Sequence, residues 1–233
     1  MARERVGPIY IYGPIGSGKT SIMRRLYEKL AQDASYLTTV LISPNVKSAN
    51  AFLRIIMDSF SVPTKQAYDQ SLQQFERFLL SQFQANKIPV LLVDEAQNLN
   101  RDILRLIHYL LNYETATIKL LQIVLAGQEE LGVKVLRYPE LASRMFPIAI
   151  NAMSITDLKA MIQFRWMVAG GKTMPFHAVD DDVYKIIFNY SKGLPRTAVK
   201  ICDEVLRDLV VRQKRVATAS EIESIARELN LTE

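Results

Sequence analysis

Apolar and polar positions alternate in blocks along the chain, and the blocks predict elements. Pro8-Ile9-Tyr10-Ile11-Tyr12 is a short β-prone run that stops at Gly13. Thr20 to Leu30 then carries apolar residues at helical spacing. Leu37 to Ser43 reads as a second strand, ended by Ser43-Pro44-Asn45. Two amphipathic helices are predicted near residues 48–60 and 69–85, separated by the loop Ser61-Val62-Pro63-Thr64-Lys65. Pro89 to Val93 is a continuous apolar run of strand length, the pattern of a parallel strand buried on both faces. Ile103, Leu104, Ile107, Leu110 and Leu111 repeat at helical spacing behind Asn100, a good cap. Leu120 to Ala126 predicts another buried strand, and Met145 to Ile150 a weaker one.

Strands alternating with helices imply βαβ units and a parallel sheet covered on both faces. From residue 151 onward only helices are predicted. Ser154-Ile155-Thr156-Asp157 resembles a capping box opening a helix to about Val168, and Gly170-Gly171-Lys172 breaks the chain. Asp180 to Tyr190 is the next helix, closed by Gly193. Pro195 starts one running to about Lys214, and Ser220 opens the last. The expected organisation is an α/β domain over residues 1–150 and a small all-helical domain over residues 151–233.

Composition changes this picture little. The 233 residues are 49% apolar and 23% charged, as in ordinary folded domains, with a formal net charge of +5. Seven of the basic residues lie between Lys192 and Arg215, against three acidic ones. They read either as a solvated helix face or as contacts to phosphates. The single cysteine, Cys202, excludes an intramolecular disulfide and multi-cysteine metal sites, so a reducing compartment, the cytoplasm, is expected. No apolar stretch approaches the ~20 residues that span a bilayer. Arg3 and Arg5 precede a run too short, and without a cleavage site, to be a signal peptide.

The dominant chemical signal is Gly13-Pro14-Ile15-Gly16-Ser17-Gly18-Lys19-Thr20, a complete G-x-x-x-x-G-K-T between a predicted strand and a predicted helix. Glycines let successive N–H groups point at phosphate oxygens, and the helix N-terminus adds its dipole. Lys19 reaches the β- and γ-phosphates of ATP, and Thr20 ligates Mg2+; the cradle runs from Gly13 to Ser21. About 75 residues further on, Val90-Leu91-Leu92-Val93 delivers Asp94 and Glu95 to a strand's C-terminal end, where ligands of open α/β sheets lie. Asp94 is suited to hold Mg2+, mostly through water, and Glu95 to orient the attacking water as general base. Gln128, ending Leu125-Ala126-Gly127-Gln128, is a candidate for the γ-phosphate or the water, although turn chemistry alone also explains it. Arg144 and Arg196 are ordinary surface arginines when taken singly. Arg196, however, sits in Gly193-Leu194-Pro195-Arg196 at a helix start, where an anionic partner would offset the unfavourable dipole.

This set, with Val-Asp-Glu-Ala-Gln-Asn-Leu and Leu-Ala-Gly-Gln-Glu-Glu-Leu, resembles the AAA+ ATPases. Within them it looks most like the branch of transposition target-selection ATPases (TnsC, TniB and MuB type) and ExeA-like secretion ATPases. The resemblance implies a P-loop NTPase sheet followed by a helical lid, with Gln128 as sensor 1, Arg196 as sensor 2, and Arg144 as an arginine finger reaching a neighbouring subunit. It further implies a homo-oligomeric ring or filament on double-stranded DNA, touched by the loops holding Lys47 and Thr64-Lys65, and a transposase as partner. The expected function is therefore an ATPase that oligomerises on duplex DNA and directs a transposase, with hydrolysis driving disassembly. The alternatives are an ExeA-like ATPase for assembly of a secretion complex, or a helicase loader or replication initiator. The absence of a transmembrane or peptidoglycan-binding module tilts the expectation toward transposition. His108, among apolar helix positions, reads as a helix-surface or packed residue, His177 has no ligand spacing around it, Trp166 and Met167 fit a core stripe, and Cys202 reads as buried and inert.

Overall fold

A computed structural model describes residues 7–42, 46–115, 118–176 and 181–229. The expectations on Arg3, Arg5, Ser43-Pro44-Asn45 and His177 lie outside the described residues. By contact the chain divides into two units: residues 1–13 with 19–150, and residues 14–18 with 151–233.

The first unit is a five-stranded, wholly parallel sheet in the order β2-β3-β4-β1-β5. Its strands are β1 (Ile9–Tyr12), β2 (Tyr36–Ile42), β3 (Ile88–Asp94), β4 (Gln122–Gly127) and β5 (Phe146–Ala149). Its helices are α1 (Lys19–Ala31), α2 (Ala49–Ser59), α3 (Tyr68–Gln84), α4 (Arg101–Leu110), α5 (Glu129–Leu136) and α6 (Pro139–Ala142).

The period of two along each strand divides the apolar residues between two cores. Leu91, Val93, Ile123 and Leu125 face the larger core, with Phe52, Leu53, Ile56, Phe75, Leu79, Ile103 and Ile107 from α2, α3 and α4. Val90, Leu92, Val124 and Ala126 face the smaller one, which Met23 of α1 joins. Every residue of β3 is buried, which is why its sequence is continuously apolar rather than alternating. Asn100 caps α4 by accepting the Ile103 N–H at 3.0 Å. The strand predicted from Leu120 begins only at Gln122. Leu120 and Leu121 are buried, but they follow an antiparallel bridge between Glu114 and Lys119, and pairing with β3 starts at Gln122.

The second unit comprises α7 (Ile155–Val168), α8 (Asp181–Ser191), α9 (Pro195–Val211) and α10 (Ala219–Glu228). They share a core of Leu158, Ile162, Val183, Ile187, Ile201, Val205 and Ile222, among others. Ser154 accepts the Asp157 N–H at 3.1 Å and so opens α7. Helix α9 stops three residues before the expected Lys214. Gln213 takes a left-handed φ of +54°, and the Lys214 N–H turns back to the Leu209 carbonyl. Helix α10 is opened by Thr218 rather than Ser220, because Thr218 and Glu221 close a reciprocal capping box. Met167 is 64% exposed and does not belong to the core stripe of α7, which is Leu158 and Ile162. Trp166 is half-buried, its Nε1–H donating to the Thr173 carbonyl. Cys202 is half-buried as a residue and packs against the helical core, where burial raises its thiol pKa. His108 is half-buried on α4.

Candidate active site

Strand register sets which residues share a level at the sheet's C-terminal edge. Tyr12 pairs with Gly127 and Val93 pairs with Leu125, so Gly13 and Gln128 stand level beyond β1 and β4, and Glu95 emerges beyond β3 one residue short of that level, opposite Gly127. Strands β1 and β3 are two places apart, which at ~4.8 Å per strand puts the ends of their backbones ~10 Å from each other.

At the end of β1, Gly13 has no room for a side chain, since an added Cβ would stand 2.2 Å from the Ile150 carbonyl oxygen. Lys19 opens α1, is only 8% exposed, and donates from Nζ to the Gly13 carbonyl at 2.9 Å. That bond holds the lysine's ammonium at the end of β1. Thr20 and Ser21 follow, exposed on the first turn of α1. Gly16 and Gly18 hold φ values of +83° and +98°, which residues with a Cβ avoid. The tip of this loop, Pro14–Gly18, groups with the helical unit. There Arg196, on the first turn of α9, donates its N–H to the Gly16 carbonyl at 3.2 Å, and its side chain is exposed.

At the end of β3, Asp94 is 3% exposed and accepts the Glu95 N–H on Oδ1 at 2.9 Å. Glu95 itself is half-buried in a left-handed conformation, φ +54° and ψ 34°, which costs about 1 kcal/mol or more for a residue with a Cβ. A single 3-10 turn (Ala96–Asn98) follows. Its Gln97 side chain donates from Nε2 to Glu95 Oε2 at 2.6 Å and accepts the Gln128 N–H on Oε1 at 3.0 Å. Lys134 of α5 reaches the same turn, donating to the carbonyls of Gln97 and Leu99. Gln97 was not anticipated by sequence reasoning. The available signal was a polar residue two places behind an acid pair, in a turn where buried polar groups must find partners.

The other anticipated residues fall elsewhere. Gln128 is half-buried at the start of α5, and its side chain makes no capping bond. Arg144 lies two residues before β5, whose first residue Phe146 pairs with Ile9, ~13 Å back along β1 from Gly13, so it lies near the sheet's opposite edge. It is half-buried and close enough to Glu114 to help lower that carboxyl's pKa, after the hydrogen bond from Lys119. Lys47 and Lys65 are exposed and Thr64 half-buried, in the segments leading into α2 and α3. Their backbones are pinned: the Lys47 carbonyl accepts from Asn100 Nδ2 at 2.7 Å, and the Lys65 N–H donates to buried Ser71 Oγ at 3.0 Å. Among the described residues, no group of His, Cys, Asp and Glu could hold a metal ion without other ligands.

Comparison with known proteins agrees with this architecture. Residues 2–133 match the AAA domain family. General secretion pathway protein A of Aeromonas hydrophila is 34% identical over 206 residues, covering 86% of this chain and 36% of that protein. The chain therefore spans about a third of that curated relative. The ORC2 protein of Aeropyrum pernix, solved as ADPNP–ADP complexes, superposes with a TM-score of 0.68 at 14% identity, covering 95% of this chain and 62% of the other. The RuvB Holliday junction branch migration motor of Thermotoga maritima gives 0.65 at 19% identity, with 97% and 62% covered. At these identities the two structures share a fold with this chain.

Proposed function

Because this chain belongs to the AAA domain family of P-loop ATPases, we propose that it binds ATP with magnesium at the C-terminal edge of its sheet and hydrolyses it under the direction of Glu95. The observation that carries the reading is that Gly13, Gln128 and Glu95 end their strands within one residue of a common level, with Lys19 Nζ bonded to the Gly13 carbonyl and a buried Asp94 carboxylate beside Glu95. The residues fit the group. The left-handed glycines free backbone N–H donors for phosphate, while the Thr20 hydroxyl and the Asp94 carboxylate are hard oxygen ligands suited to Mg2+. Glu95 would take a proton from water as it attacks the γ-phosphorus, and ADP would leave with the bridging oxygen's electrons. Gln128 and Arg196 would respond to the γ-phosphate. Arg144, remote from its own chain's Gly13, would serve a neighbouring subunit, which makes turnover depend on homo-oligomerisation.

The biological setting proposed is an ATP-dependent assembly on duplex DNA that presents the target to a transposase. Its support is the motif set, together with two lysines, Lys47 and Lys65, held outward on pinned backbones. Contacts of this kind go to phosphates, so affinity would fall steeply with salt. A second reading, an ATPase serving assembly of a secretion complex, is favoured by the 34% identity to general secretion pathway protein A. Because this chain spans 36% of that protein, the rest of the relative does not bear on the choice. Measuring ATP hydrolysis and filter binding with and without duplex DNA at low salt separates the readings. Stimulation and retention support the first; activity indifferent to DNA with no retention removes it. In the same assay Glu95→Gln should bind ATP and cease turnover, and unchanged hydrolysis would remove Glu95 from the base role.

A further inference from the structure

We propose that Gln97 is a positioning residue, whose one side-chain amide locks the Glu95 carboxylate to the backbone of Gln128. The inference rests on the reading of Glu95 as the base and deepens it. A half-buried glutamate has several rotatable bonds, and general-base catalysis needs its oxygen within hydrogen-bond reach of one particular water. Two devices remove that freedom. The left-handed backbone at Glu95, held on one side by the Asp94 Oδ1 bond, sets the direction in which the side chain leaves. The Gln97 Nε2 bond at 2.6 Å then fixes Oε2, leaving Oε1 as the oxygen offered to a water.

The amide's orientation is dictated by its surroundings. The Gln128 N–H can only donate, so it must meet the carbonyl end of Gln97, and the NH2 end is thereby turned to the carboxylate. Gln97 as a residue is 9% exposed. A Cβ on Gly127 would stand 2.7 Å from its Oε1 and 3.0 Å from its backbone nitrogen, so glycine at 127 leaves the space the amide fills. Lys134 holds the turn from the other side through the Gln97 and Leu99 carbonyls. A shift at the end of β4, where Gln128 would meet the γ-phosphate, must therefore move Glu95 through one rigid planar group. Sensing of the phosphate and placement of the base are mechanically one event.

The test compares Gln97→Glu and Gln97→Leu in the full chain by steady-state ATP hydrolysis, equilibrium binding of a slowly hydrolysed ATP analogue, and thermal melting, beside Glu95→Gln. Gln97→Glu keeps an acceptor for the Gln128 N–H and, while ionised, cannot donate to Glu95; Gln97→Leu keeps the approximate volume and removes both bonds. Both should lose kcat by ~10-fold or more while KM and analogue affinity stay within ~3-fold. Either change placed on Glu95→Gln should cost nothing further, because the two residues act as one unit. A packing role would instead lower kcat, affinity and melting temperature together, and that result overturns the proposal, as does a Gln97→Glu enzyme with kcat within twofold of the parent. If Glu95→Gln turns over normally, it is the base assignment that fails. If Glu95→Gln is inactive and the Gln97 variants are not impaired, only the present inference fails.

Discussion

Replacing Gly13 by alanine isolates how the fold holds the start of the phosphate loop. The added methyl would stand 2.2 Å from the Ile150 carbonyl oxygen, 3.1 Å from its carbon and 3.3 Å from the Ile150 Cβ. The two nearest are backbone atoms, so no flexible side chain can swing aside, and the strands must part by more than about 1 Å to restore ordinary contact. Ile150 is anchored there by its N–H donating to the Tyr12 carbonyl at 2.7 Å, the bond that closes the β1–β5 pairing. Losing that bond costs about 0.5–1.5 kcal/mol and the overpacking about 1–3 kcal/mol. The sum is roughly 1.5–4.5 kcal/mol, a fall of roughly 5–15 °C in the melting of the α/β unit. Gly18→Ala is the internal control. Nothing lies within 4 Å of its would-be Cβ, but its φ is +98°, so its cost is backbone strain alone, on the order of 1–2 kcal/mol. Urea unfolding followed by circular dichroism measures both. A Gly13→Ala protein destabilised by less than ~0.5 kcal/mol would refute the collision argument.

Two further outcomes follow from the titrating groups. The Lys214 ammonium and the Thr218 backbone N–H and hydroxyl hold the Glu221 carboxyl down at about 2, from an ordinary 4.5. Its contribution to the helical unit is therefore fully present above 4.5 and lost as pH falls from there toward about 2, so Glu221→Gln should flatten stability against pH across that window; parallel curves for the two proteins would rule this out. Burial, helped by the neighbouring Asp203, pushes the Cys202 thiol up to about 12 from 9. Its thiolate fraction at mildly alkaline pH should then be on the order of a thousandfold below that of a free thiol, and disulfide-exchange labelling correspondingly slow in the native protein and fast in urea.

The sheet was legible because its buried strands are written as unbroken apolar runs. Ile88 to Asp94 is buried throughout and ends at the Asp94–Glu95 pair, while β4 and β1 are marked by the glycines at their ends, Gly127 and Gly13. Helices with one apolar stripe and a capping residue, such as α4 behind Asn100, were equally readable. What escaped was decided by tertiary contact. Helix α7 is apolar around much of its circumference, so periodicity could not say that Leu158 and Ile162 turn inward while Phe164 and Met167 turn out. The end of α9 depends on a left-handed Gln213, for which the sequence offers no glycine as a marker. Short helices α5 and α6 are each less than three turns, too brief to show a period. At the site, the glycines and acids were visible as a motif, but the amide of Gln97 gains its meaning only when β4 brings the Gln128 N–H within 3.0 Å.

The left-handed backbone at position 95 has a consequence for variation at that position. Glycine or asparagine would occupy the same dihedral angles with less strain, so selection for robustness alone would drift away from glutamate there. A population of sequences screened only for folding should enrich such replacements, whereas one screened for turnover should retain the acid. Substitutions by valine or isoleucine at 95 would confound the two screens, since a branched Cβ resists that geometry and would masquerade as a chemical defect.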